Sequence, residues 1–416
     1  MLTSMLRIML THSFRPFIFK NTFTNSLNFV DIDQLGLYVH IPFCKSICSF
    51  CPYCKEIYDK DRADSYKKAL LEEIDLACHN LDDKKIVTSL YFGGGTPAMM
   101  INDLHDIVAK IKRYFSIIGD IGVELHPDDI TEENLQKLNI AGVTMVSIGI
   151  QSFNYGCLSR LGRKNNSSIE KLEIVKSFGF NAIDVDLIFA IPEQTADNLI
   201  DDIKTAFEHG ATQVSTYPFI DFSYSNNKYK PMPNKYKRKM LKKLAQYCHD
   251  HKIKRTSVWT FNKQGSKRYS SITRDAFLGF GVSAASLLNN RFKINTHSIN
   301  GYIERLNQGL MPTSLTLDFT RRQKAAYFLF WNSYALNINK HRFAKEFGAS
   351  LKKMFGIELL IAEKFGYIKE QADNFSLTEK GAALFHEIEQ AYTRAYIDRT
   401  WNKSRLKPFP DKIVLR

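Results

Sequence analysis

At 416 residues the chain is long enough for two domains. Hydrophobic residues make up 44% and charged residues 24%, which excludes a disordered or fibrous chain and matches a globular one. No apolar run reaches the length of a membrane span. The formal charge of +14 admits a basic pocket for a polyanion or a lysine-rich solvated surface, and the second is preferred.

The first segment, Met1 to Val30, lacks Asp and Glu and carries Arg7, Arg15 and Lys20 among Ser, Thr and Phe. That composition fits an organellar transit segment or an N-terminal extension draped over a barrel mouth, and the second is preferred. From Leu35 onward, short apolar runs alternate with amphipathic segments. Strands are expected at Leu35–Ile41, Thr88–Phe92, Gly122–Leu125, Thr144–Ile150, Asn181–Phe189 and Gln213–Tyr217. Helices are expected at Ser65–Asn80 (with Asp64 as N-cap), Ile101–Phe115, Glu132–Asn139, Ser168–Phe178 and Asn198–His209. Six strands alternating with five helices imply a parallel sheet with right-handed crossovers, fully or partly closed as a TIM-like (β/α)6 barrel. Its chemistry would lie at the C-terminal strand ends.

An Asn-, Ser- and Pro-rich linker covers Asp221–Asn234. The basic run Asn234–Lys243 follows as an amphipathic helix, with Tyr236, Met240 and Leu244 spaced to face inward. Beyond Pro312 come a helix at Arg321–Leu336, short helices near Phe343–Glu346 and Leu351–Lys364, a two-stranded wing at Gly366–Glu370 and Asn374–Thr378, and a helix from Ala382 to about Asp398. This mostly α order resembles a winged helix. DNA binding and a packed lid over the barrel are the competing readings, and the lid is preferred. The expected division is an arm at 1–34, a core at 35–290 and a C-terminal domain at 291–416.

Four of seven cysteines fall between Cys44 and Cys54. An odd, clustered set argues against a disulfide framework and for a reducing, cytoplasmic setting. Cys44, Cys48 and Cys51 form a C-x3-C-x2-C loop. Thiolates suit iron–sulfur clusters, and a cubane [4Fe–4S] normally takes four. Three leave one iron open for the amino and carboxylate groups of S-adenosylmethionine (SAM), whose sulfonium the cluster's electron cleaves.

Tyr38-Val-His-Ile-Pro-Phe-Cys, Phe92-Gly-Gly-Gly-Thr-Pro97, Ile148-Gly-Ile-Gln-Ser-Phe153, Asp186-Leu-Ile-Phe-Ala-Ile-Pro-Glu-Gln-Thr195 and Phe280-Gly-Val-Ser-Ala-Ala-Ser286 surround this loop. Together they resemble the oxygen-independent coproporphyrinogen III oxidase-like branch of the radical SAM superfamily. The resemblance implies a [4Fe–4S] cluster on Cys44, Cys48 and Cys51, and one or two SAM molecules. Gly94, Gly95 and Thr96 would meet the methionyl amino group, although a tight strand-to-helix turn also explains the glycines. Tyr38 would reach the adenine. Phe50 would pack on an aromatic or sulfonium-bearing ligand. Glu124 would bind ribose hydroxyls or the amino group. Gln151, Arg163 and Asp186 match contacts to a second SAM, against the alternatives of a surface charge for Arg163 and a structural ion pair for Asp186. His40 either relays a proton or braces the loop.

The chain also departs from the branch. Coproporphyrinogen oxidases proper resemble C-x3-C-x2-C-x-C, but here Tyr53 takes the fourth position and Cys54 follows it. Cys54 is either a redox or methyl-transfer residue or a non-ligand thiol. Ala190 stands where a glycine is frequent, and Val143-Thr-Met-Val146 replaces an Arg-containing stretch. These changes weigh against porphyrinogen decarboxylation. The expected function is radical SAM chemistry, as oxidative decarboxylation or methyl or methylene transfer, on a small-molecule, tetrapyrrole-like substrate. The alternative is a heme chaperone on the same scaffold. A flavodoxin or ferredoxin would supply electrons, a monomer is expected, and neither nucleic acid nor membrane is an expected partner.

Overall fold

The computed structural model describes residues 2–22, 27–163, 168–225, 227–269 and 275–416. Met1 and residues 23–26 of the expected arm lie outside them. In chain order the elements are α1 (Leu2–Thr11), β1 (Phe17–Lys20), β2 (Leu35–Ile41), α2 (Lys60–Cys78), β3 (Ser89–Gly94), α3 (Ile101–Tyr114), β4 (Ile121–Leu125), α4 (Glu132–Ala141) and β5 (Met145–Gln151). Next come α5 (Tyr155–Arg160), α6 (Ser168–Ser177), β6 (Ala182–Phe189), α7 (Ala196–Glu208), β7 (Gln213–Pro218), α8 (Asn234–Asp250), β8 (Lys254–Arg255) and β9 (Thr260–Asn262). The later strands are β10 (Ala276–Phe280), β11 (Ala285–Leu288) and β12 (Arg291–Asn295), followed by α9 (Ile299–Asn307) and β13 (Thr313–Asp318). The chain ends with α10 (Arg321–Tyr334), α11 (Lys340–Phe347), α12 (Leu351–Lys364), α13 (Glu379–Tyr392), α14 (Asp398–Leu406) and β14 (Lys412–Leu415).

One 14-stranded sheet runs β8-β9-β7-β6-β5-β4-β3-β2-β10-β11-β12-β13-β1-β14. The six expected strands are present and pair in parallel. β10 adds a seventh parallel strand on the far side of β2. Its five residues are too short for periodicity to reveal, and only the partner strand defines it. Beyond β10 the sheet turns antiparallel. Nearly every residue of β2, β5 and β6 is buried, as expected where helices cover one face and a packed interior the other.

The N-terminal arm is part of this sheet. β1 lies between β13 and β14, with four residues of β1 in register with Lys412–Leu415. Phe17 and Phe19 pack with Leu315, Leu317, Tyr396 and Ile413.

Four local expectations change. Helix α2 begins at Lys60, because Asp59 rather than Asp64 caps it by accepting a bond from the Arg62 amide. Asp64 is instead a surface partner of Lys60. In α8, Tyr236 is 52% exposed and Lys237 is fully buried with Met240, Leu241, Leu244 and Cys248. The Lys237 ammonium donates to the Phe219 carbonyl and to Gln390 Oε1, both at 2.8 Å, which offsets its burial. Burial pushes its pKa down to about 8. The wing gains a third strand, Asn337–Asn339, and the last helix divides into α13 and α14 across a π-helical turn. The outward side of α12, the helix that would read DNA in a winged helix, is apolar in its middle, where Ile357 is 71% and Leu360 65% exposed, and charged at its ends, at Lys352, Lys353, Glu363 and Lys364.

Candidate functional site

The cysteine loop leaves β2 through Pro42 and is tied to the glycine run by backbone bonds. Gly95 donates to the Ile41 carbonyl and Thr96 to the Phe43 carbonyl, both at 2.7 Å. A Cβ on Gly95 would fall 2.7 Å from the Phe43 oxygen, so the close approach itself requires glycine. Gly94 adopts φ +118°, and a Cβ there would meet the His40 ring at 2.6 Å. The turn expected as an alternative is therefore present, and it brings the loop and the glycine run into contact.

His40 bridges the two. Its Nε2 lies 2.9 Å from the Cys54 carbonyl and its Nδ1 3.0 Å from the Tyr38 hydroxyl. Burial pulls its pKa down to about 4, so the ring is neutral at pH 7. Beneath it, Tyr66 donates to the His40 carbonyl at 2.7 Å and accepts from the Val282 amide. Glu73 accepts from the Gly281 amide and Tyr302 at 2.6 Å each, and from Asn295 at 2.7 Å. A Cβ on Gly281 would sit 2.7 Å from the His40 carbonyl, which explains the glycine of the Phe280–Ser286 motif.

Cys44 is buried, whereas Cys48 and Cys51 are half-buried, and all are free thiols. Burial pushes Cys44 up to about 11, and the nearby Cys51 and Cys48 add to the rise. Cys54 behaves differently. Its Sγ donates to the His297 carbonyl at 3.3 Å, and burial pushes its pKa up to about 11. Cys44 thus lies near Cys48 and Cys51, whereas the Cys54 thiol is engaged by a carbonyl far along the chain.

Glu124, at the end of β4, accepts from the Tyr91 hydroxyl at 2.7 Å and the Gly94 amide at 3.1 Å. Burial raises its pKa. Asp186 on β6 accepts from Ser147 at 2.8 Å, and burial, followed by Asp184 and Glu124, raises its pKa well above normal. No salt bridge within 4 Å holds Asp186 among the described residues, although the Arg163 guanidinium is near enough to oppose the rise. Arg163 is not a free surface charge. It donates to the Gly149 carbonyl and lies 5.5 Å over the Phe50 ring, and its buried Nε has no partner. Gln151 is buried with φ +72°, and the Gly149 position abuts its amide.

A cavity of about 920 Å³ opens along the concave face of the sheet. Tyr38, His40, Tyr53, Cys54, Gly94 and Glu124 meet it at one end. Aromatic residues of α10 and α13, and Leu6, Met9 and Leu10 of α1, close it elsewhere. Phe50, Gln151, Arg163 and Asp186 lie outside its lining. Sequence reasoning missed Tyr91, which holds Glu124, and Trp401, whose ring lies 5.8 Å from Tyr53. Neither stands in a motif, and only the fold brings α14 over the loop. Arg405 of α14 and Tyr224 both donate to the Pro52 carbonyl.

Residues 38–206 match the family model described as the radical SAM superfamily. That stretch is a radical SAM domain. This radical SAM protein is 26% identical to the heme chaperone HemW of Bacillus subtilis, over 85% of its own length and 98% of that protein. It is 24% identical to the oxygen-independent coproporphyrinogen III oxidase of Pseudomonas aeruginosa, over 86% of its length and 85% of the relative. Its fold matches coproporphyrinogen III oxidase HemN of Escherichia coli with a TM-score of 0.73 at 21% identity, covering 88% of this chain and 91% of that one.

Radical SAM proteins use a [4Fe–4S] cluster and SAM. The donor set here fits that cluster: three free thiols on one loop, with the fourth cysteine bonded instead to the His297 carbonyl. No three His, Cys, Asp or Glu among the described residues converge closely enough for a single metal ion. A cubane of several irons holds its cysteines further apart than one ion does. No described helix is long and apolar enough to cross a membrane.

Proposed function

We propose that this radical SAM protein is a coproporphyrinogen oxidase-like enzyme acting on a tetrapyrrole-sized ligand, by oxidative decarboxylation or by methyl or methylene transfer. The observation that carries the reading is the cavity of about 920 Å³, walled by aromatics and meeting His40, Gly94 and Glu124 at the cysteine end. Ligand sites usually span about 300–1,000 Å³, so this one suits a macrocycle. When bound, the cluster and SAM supply an electron and a radical-forming bond.

The chain's own residues would do the rest. Cys44, Cys48 and Cys51 would hold three irons. The Gly94–Thr96 backbone would approach the methionyl end, Glu124 would accept hydroxyl or amino hydrogens, and Tyr38 would border the adenine. The unpartnered Arg163 Nε and the unpaired Asp186 suit the carboxylate and amino group of a second SAM. His40 would brace the turn as a neutral ring, and Cys54, packed against His297, would sit beside the ligand rather than on the cluster.

The test is anaerobic reconstitution with iron and sulfide, then SAM, dithionite and coproporphyrinogen III, with products read by mass spectrometry. Formation of 5′-deoxyadenosine supports the enzyme reading. Loss of carboxyl mass identifies decarboxylation, and S-adenosylhomocysteine beside 5′-deoxyadenosine identifies methyl transfer.

One observation favours heme carriage as a second reading. Among the described residues, the cavity wall carries two guanidiniums, Arg7 and Arg268, and no lysine. Coproporphyrinogen III carries four carboxylates and heme two. Heme retained with neither nucleoside product would make carriage the function.

A further inference from the structure

We propose that Arg268 is the carboxylate anchor of the large cavity, which takes a macrocycle with its acidic groups along one edge. The inference rests on the tetrapyrrole reading and, within it, favours a ligand with two carboxylates over decarboxylation of coproporphyrinogen III.

The other charges on the wall are already engaged. Arg7 donates to the carbonyls of Ser13 and Arg15. Asp120 accepts from Thr144 and Asn181 at 2.9 Å each and faces Lys267. Glu358 pairs with Arg322 at 2.7 Å, and Glu124 is held by Tyr91 and Gly94. His40 and His297 are neutral, since burial pulls them to about 4 and about 3. Arg268 makes neither a hydrogen bond nor an ion pair with any described residue. Its side chain is exposed, borders both the void and a smaller pocket beside Asp275, and has its pKa lowered by the surrounding walls.

Arg268 is also well placed. Its neighbour Tyr269 is pinned to β7 through both backbone groups: the Tyr269 amide donates to Gln213 Oε1 and the Gln213 amide donates to the Tyr269 carbonyl, each at 3.0 Å. Gln213 is itself buried and bonded to Asp184 at 2.9 Å. The backbone beside this guanidinium is fixed, and its fork has no counter-ion among the described residues, so it is available to an anionic ligand. Its planar fork matches a carboxylate through two parallel bonds. One such fork serves one acidic edge. A ligand with carboxylates around its whole rim would bury the others against Tyr327, Phe330 and Phe385.

Heme, heme dimethyl ester and coproporphyrin III are titrated by absorbance into the full-length wild-type, Arg268→Ala and Arg268→Lys proteins. Arg268→Ala is expected to weaken heme at least tenfold and to leave the dimethyl ester within about twofold, which also shows that the variant is folded. Arg268→Lys should recover part of the loss, and wild-type protein should prefer heme to coproporphyrin III. Heme binding within twofold of wild type in Arg268→Ala would overturn the anchor while sparing the tetrapyrrole reading. So would an equal loss of the ester, or wild-type preference for coproporphyrin III. Failure of the wild type to bind any of the three would overturn the tetrapyrrole reading and the anchor with it.

Discussion

The cysteine end and the closing half of this molecule are built by different means. At the cysteine end, residues from continuous motifs meet through backbone contacts so close that glycine is obligatory, as at Gly95 and Gly281. The closing half surrounds the cavity with side chains drawn from α1 near the start of the chain and from β12, α10, α13 and α14 in its last third. The first arrangement tolerates almost no change of residue type. The second tolerates apolar exchange as long as volume is kept. The shared chemistry sits in the first, and the choice of ligand is open to variation in the second.

The largest effect expected of this contrast is at the thiols. Cys44→Ala, Cys48→Ala and Cys51→Ala should each abolish the cluster's absorbance and EPR signal, whereas Cys54→Ala should keep both. Loss of the signal in the Cys54 variant would erase the distinction between the loop and the cavity wall. Next is the backbone contact. Gly95→Ala forces a methyl against the Phe43 carbonyl and should cost roughly 3 kcal/mol in chemical denaturation, with loss of cluster retention. A near-wild-type midpoint would show that the turn can yield.

The closing half has its own weak point at acid pH. His386 of α13 accepts from Trp259 Nε1 at 2.9 Å and stacks on Phe189. Burial, followed by Lys237, Arg255 and Arg238, holds its pKa down at about 3. The unfolded histidine takes up a proton near pH 6.5 and the folded one does not, so this stability is complete above 6.5 and declines as pH falls toward 3. At pH 5 the loss is roughly 2 kcal/mol. His386→Phe should flatten the pH dependence of the denaturation midpoint between 4 and 7; an unchanged slope would place the acid sensitivity elsewhere.

The smallest effect falls back at the motif end. Ala190 is held at φ +61°, where the related motif carries glycine. Ala190→Gly should release left-handed strain of about 1–2 kcal/mol against an entropic cost of about 0.5–1 kcal/mol. A net gain in thermal midpoint of about 1 °C is expected, and a clear loss would mean that the methyl packs usefully.

The sequence by itself determined the cysteine loop, the glycine run, the alternation of six strands with helices and the residues at their ends. These signals are local: thiol spacing, glycine runs and apolar periodicity within a few turns. Tertiary structure alone decided that Phe17–Lys20 is an inner strand, that Ala276–Phe280 extends the parallel sheet, and that Lys237 turns inward while Tyr236 turns out. Each depends on a partner far along the chain: β14 for β1, β2 for β10, and Gln390 for Lys237. The separation of Cys54 from its three neighbours has the same origin, because the carbonyl that claims its thiol belongs to His297. Spacing can gather four cysteines into one loop, but only long-range packing decides which way each of them points.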